Sequence, residues 1–207
     1  MALPELLMRP RPKVLVVDRI LIRALLASVL LWPFGCRPAV APVPASVRRI
    51  AVLPPADDGA SRGAAPSSAE QSLADVLAAA ARDELAHQGF EVVDPTIVRE
   101  AAHGQVASTP EAAANVVASA RLDATPLLIR LHRWEYDRPT MRTDRIIAAL
   151  DVSLVDPRTG RVLWETRRAA APVQLHGDLL AGQADVVAAE EVMREMLSGV
   201  GTRSRTK

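Results

Sequence analysis

Apolar residues between positions 72 and 90 recur at helical spacing: Leu73, Val76, Leu77, Ala80, Ala81 and Leu85 fall on one face. The pattern predicts an amphipathic helix, with Ser72 as cap, Asp75 three residues on, and Gly89 just past its end. On either side the period changes. "RRIAVLPP" (48–55) is a short apolar run stopped by two prolines, and "FEVVDP" (90–95) is another stopped by Pro95; both read as strands. "ADDGASRGAAPSSAE" (56–70) has the composition of a loop. "TIVREAAHG" (96–104) reads as a short helix closed by Gly104. "STPEAAANVVASARL" (108–122) opens a further helix, with Ser108 or Thr109 as cap and Pro110 at its first position.

The second half alternates. In "ATPLLIRLHRWEY" (124–136), Leu127, Ile129 and Leu131 share one face, and Arg130, His132, Trp134 and Tyr136 the other. Pro126 lacks an N–H, which predicts a lost ladder bond at the start of this strand. "DRIIAALDVSLVD" (144–156) turns Ile146, Ala148, Leu150, Val152 and Leu154 inward, and Asp151 and Ser153 outward. "DPRTGR" (156–161) is a hairpin turn leading into a fifth strand, "RVLWETRRA" (161–169). "QADVVAAEEVMREML" (183–197) reads as a closing amphipathic helix, with Val186, Val187, Val192, Met193, Met196 and Leu197 as its apolar residues. The order predicts an α/β fold: a single mixed sheet of about five strands, a C-terminal antiparallel meander and three to four packing helices.

Composition sharpens this. The chain is 49% hydrophobic but only 3% aromatic, so its core is aliphatic. The formal charge of +1 is unevenly placed: residues 1–36 hold five basic and two acidic side chains, leaving the remainder at −2. There is no basic block and no aromatic platform, which argues against a nucleic-acid partner.

The basic excess precedes an uncharged apolar run, "ALLASVLLWPF" (24–34), of secretory length and too short to span a bilayer. Cys36, the chain's one cysteine, follows it. Gly35 suits the position before a lipid-modified cysteine; Phe34 and Pro33 depart from the usual lipobox. Cleavage after Ala39-Val40-Ala41 and an uncleaved anchor are the competing readings. A lone cysteine favours lipidation, because the mature domain then holds no thiol exposed to an oxidising envelope. The expected organisation is a signal peptide over 1–36 ending in a degenerate lipobox, a Pro/Ala-rich tether over 37–46, an α/β periplasmic domain over 47–198 and a disordered tail over 199–207.

Chemistry-bearing constellations are sparse. His87, His103, His132 and His176 have no metal-ligand spacing. Asp57-Asp58 and Glu190-Glu191 read as solvated acids, and Ser61, Ser67 and Ser68 have no evident base. There is no nucleophile elbow, phosphate loop or dinucleotide fingerprint, so no enzyme, metal or cofactor is expected. The unusual feature is the outward row Arg130, His132, Trp134 and Tyr136, with Arg133 and Arg138 beside it. Trp, Tyr and Arg are favoured at binding hot spots, which makes this row a candidate partner contact. The plainer alternative is that Trp134 and Trp164 cover the sheet under a helix or hairpin.

The segments "VLAAAARDELAHQGFEVVDPTIVREA", "LDATPLLIRLHRWEY" and "DVSLVDPRTGRVLWE" together resemble a family of bacterial lipoproteins whose fold is similar to the TolB N-terminal domain and the CsgG periplasmic domain. The resemblance spans roughly residues 47–197. It implies an outer-membrane lipoprotein, acylated at Cys36 with palmitate-type chains, facing the periplasm as a non-catalytic accessory subunit of a secretion or transport assembly. Its expected partners are the outer membrane, through the lipid, and a protein of the envelope complex, with homo-oligomerisation as a further option. The alternative is a periplasmic binding module for a small ligand, peptide or glycan fragment. A deep apolar pocket would favour the module, and a flat patch around Trp134 the partner.

Overall fold

The computed structural model describes residues 43–58, 68–136 and 142–200. The expected signal segment with Cys36, most of the tether, Arg138 and residues 201–207 lie outside the described residues. The strands are β1 (Arg49–Val52), β2 (Ala56–Asp57), β3 (Glu91–Val92), β4 (Thr125–Tyr136), β5 (Arg142–Val155) and β6 (Val162–Leu180). The described helices are α1 (Ser68–His87), α2 (Pro95–Ala102), α3 (Pro110–Ser119) and α4 (Ala181–Leu197). One mixed sheet runs β3-β1-β4-β5-β6, with β2 also paired to β4. β1 lies parallel to β3 and β4, and β4-β5-β6 form the expected antiparallel meander.

Alternation divides the sheet into two apolar faces. Ile50, Val52, Leu127, Ile129, Leu150, Val152 and Leu154 point to the side covered by α1 and α4. Ala51, Leu53 and Leu128 point to the side covered by α2 and α3 through Val98, Ala113 and Val117. The result is three layers, helix–sheet–helix. The core is aliphatic as composition requires; Phe90 and Trp164 are its aromatic members.

Several elements differ from their sequence expectation, each for a local reason. Pro54 and Pro55 interrupt the first strand, but the chain resumes pairing on β4 as β2, where a loop was expected. Leu53 N–H donates to Leu127 O at 3.0 Å and Asp58 N–H to Leu131 O at 2.9 Å, so β1 and β2 follow one interrupted edge. Pro126 is a regular member of β4, opposite Ala51 and one position before the antiparallel pairs begin at Leu127–Leu154. Its missing N–H therefore falls outside the β4–β5 ladder. β6 continues to Leu180 instead of ending at residue 169. It is the terminal strand of the sheet, where Pro172 is tolerated, and three register shifts against β5 absorb the mismatch.

Among the helices, α1 begins at Ser68, so Ser72 lies one turn inside it and does not cap it. Its other end is as expected. Gly89 takes φ +84°, Gly89 N–H bonds Ala86 O at 3.0 Å and Phe90 N–H bonds Leu85 O at 3.1 Å, a Schellman motif. Thr109 caps α3 by accepting from Ala112 N–H at 3.2 Å, with Pro110 first in the helix. In α4 the buried stripe is Ala184, Ala188, Ala189, Val192, Met193, Met196 and Leu197. Val186 and Val187 stand off that stripe and are exposed, against expectation. The small alanines let the helix lie close to the sheet.

Candidate functional site

The site is built on β4, and a single residue decides its shape. Leu131 pairs with Leu150, but the next pair is Arg133 with Ala149, so His132 is an extra residue, a β-bulge. A one-residue insertion in a period-2 element reverses the face of everything beyond it. Arg130 stays on the side opposite the buried Leu131, whereas Trp134 and Tyr136 sit across from Ala148 and Ile146, which face α4. The expected row of four is therefore split. Arg130 and His132 remain on the open face of the meander. Trp134 packs against the main core, and both Trp134 and Tyr136 bond to Asp185 of α4.

Asp185 occupies a sheet-facing position one turn before the buried Ala189. Trp134 Nε1–H donates to Asp185 Oδ1 at 2.8 Å, and the Tyr136 hydroxyl donates to Oδ2 at 2.9 Å. Burial and the Asp185 carboxylate push the Tyr136 phenol up to about 12, because both disfavour the phenolate. The two aromatics thus fasten the end of β4 to α4.

On the open face a carboxylate takes the centre. Asp151 lies directly opposite Arg130 on one side and Arg167 on the other. Its side chain is only 5% exposed. Arg130 Nη2 donates to Oδ2 at 3.0 Å, and Arg167 Nε donates to Oδ1 at 2.9 Å. His132 Nε2 is 3.0 Å from Oδ2, and its Nδ1 is 2.9 Å from Asp58 Oδ2 at the end of β2. One buried carboxylate thereby gathers three nitrogen partners across three strands. Farther out, Arg133 Nη2 donates to Glu135 Oε2 at 2.6 Å, which holds the Glu135 carboxyl below its ordinary range.

Next to this ladder the surface dips into an open depression of about 430 Å3, with Ala149 and Ala169 among its lining residues. Among the described residues no cluster of His, Cys, Asp and Glu side chains has the arrangement of a metal site. Asp151 was legible as an outward-facing acid in an apolar strand. Asp58 reads from sequence as a solvated acid, and Arg167 and Asp185 were not singled out, because register and the bulge, not composition, bring them to the site.

No protein-family model matches the chain, and the search of curated proteins returns no match. Solved structures do match. A PelC dodecamer from Paraburkholderia phytofirmans is 16% identical, covering 79% of this chain and 96% of that one, with a TM-score of 0.47. Lipoprotein GNA1162 from Neisseria meningitidis is 17% identical, covering 72% and 97%, with a TM-score of 0.45. The LpoB C-terminal domain from Salmonella enterica is 15% identical, covering 72% and 93%, with a TM-score of 0.36.

Proposed function

We propose that this protein is a membrane-anchored periplasmic lipoprotein and a non-catalytic accessory subunit of an envelope assembly, meeting a protein partner through the open face of its meander. The observation that carries this reading is the Arg130–Asp151–Arg167 ladder. Its charges are fixed on paired strands, yet each faces an opposite charge and not a nucleophile. Both nitrogens of His132 are taken by carboxylates, which leaves neither as a base toward a substrate. The depression is open and charged, unlike the enclosed apolar pocket that a small-molecule module would use. The contact itself moves from the expected row of four to Arg130 and His132, since Trp134 and Tyr136 are engaged with α4.

The anchor belongs to the same proposal. The basic, then apolar, then Gly35-Cys36 order of the N-terminus supports acylation of Cys36, with residues 37–46 as tether and Arg37 directing the product to the outer membrane. A place in a transport or secretion machine is part of the same proposal and rests on the sequence segments alone. Crosslinking in intact cells followed by pull-down tests the role: a second envelope protein should be recovered in fixed ratio. Recovery of this chain with copies of itself alone contradicts the accessory reading. Intact mass tests the anchor. A lipid adduct on a chain starting at residue 36 is expected, and a bare chain starting at Pro42 contradicts it.

A further inference from the structure

We infer that the depression between β4, β5 and β6 is a docking site for a carboxylate side chain carried by an acidic segment of the protein partner. The inference rests on the function proposed above and names the chemistry of its contact. Ala149 and Ala169 are single methyl groups in the lining, beside Arg130, His132 and Arg167, while Arg168 pairs with Leu150 and turns its guanidinium to Glu195 of α4. The one acid among the lining residues is Asp151, already shared by Arg130, His132 and Arg167.

The guanidiniums have donors to spare. Each offers five N–H groups. Arg130 commits Nη2 to Asp151, and Arg167 commits Nε. The carboxylate that faces both from the rim is Glu165, at 3.8 Å from Arg130 and 3.5 Å from Arg167. Those contacts are long for charge-assisted bonds, which run at about 2.7–2.9 Å, and the Glu165 side chain is 40% exposed. Glu165 is thus a loosely held placeholder that an incoming carboxylate can displace. Asp58 pairs with His132 from the end of β2.

Two observations select the ligand. The guanidinium fork accepts carboxylate or phosphate alike, but the buried Asp151 repels a phosphate dianion more than a carboxylate. The openness of the depression cannot enclose a free small anion, so the carboxylate arrives on a larger body.

The test is fluorescence anisotropy of a dye-labelled octaglutamate peptide with the full-length protein in uncharged detergent. Acetate, inorganic phosphate and phosphatidylglycerol vesicles serve as competitors. Arg167→Gln should weaken peptide binding by roughly tenfold or more, and Glu165→Gln should strengthen it. Both side chains are solvent-facing, at 68% and 40% exposure, and unchanged far-UV circular dichroism confirms that the variants fold. The inference is overturned if the peptide does not bind, if either variant leaves its affinity unchanged, or if phosphate or vesicles compete better than acetate. A second envelope protein still captured in cells under those results would leave the accessory role standing without this site.

Discussion

At the scale of single residues, Asp151 is where opposing effects meet. Burying its carboxylate costs desolvation, and three partners at 2.9–3.0 Å offset that cost. Asp151→Ala removes the common partner of Arg130, His132 and Arg167 and should destabilise the domain by about 2–3 kcal/mol. Arg167→Gln, on a side chain that is 68% exposed, should cost less than about 1 kcal/mol. Urea denaturation of the two variants checks the difference; equal losses would mean that Asp151 is not the keystone. Tyr136 gives a second readout, because it is the chain's one tyrosine. Its pKa of about 12 in the fold lies above the ordinary value of 10.0. A group raised in this way contributes its stability fully below pH 10 and loses it as pH rises toward 12. Ultraviolet titration of the phenolate should show the late midpoint, and Asp185→Asn should bring it back toward the ordinary value.

At the scale of elements, the bulge at His132 separates what alternation predicts from what the fold does. Strict two-residue alternation puts Arg130, His132, Trp134 and Tyr136 on one face, although the adjacent polar pair His132-Arg133 between Leu131 and Trp134 breaks the apolar pattern. That polar pair is the mark of an extra residue, and the pairing with β5 locates it at His132. Deleting His132 would remove the extra residue and make Leu131–Leu150 and Arg133–Ala149 consecutive pairs, so Trp134 and Tyr136 would keep the Asp185 side and Arg133 and Glu135 the open one. The deletion should therefore leave tryptophan emission unchanged and cost little more than His132→Gln, which should cost less than about 1 kcal/mol. A deletion that red-shifts the emission and costs about 3 kcal/mol or more would contradict the bulge. Element boundaries were legible where local chemistry sets them. Gly89 at φ +84° has nothing within 4 Å of an added Cβ, so Gly89→Ala meets backbone strain alone and should cost about 1 kcal/mol. The end of β6 was not legible, because Pro172 reads as a stop unless the strand is known to lie at an edge.

At the scale of the whole molecule, the order of strands and helices was readable because each period is sustained over several residues. Which face stays open was not readable. α1 and α4 cover one side of the sheet, while α2 and α3 reach the other beside β1, the first half of β4 and part of β5. The outer half of the meander is left with Arg130, His132, Arg133 and Glu135 on view. That asymmetry is what the proposed role uses, and it can be mapped directly. A photocrosslinking residue placed at Glu135, on the open face, is compared in intact cells with one at Glu190, on the exposed side of α4. The account predicts a discrete adduct with a second envelope protein from position 135 and little or none from position 190. An adduct from position 190 alone, or equal yields from both, would contradict it.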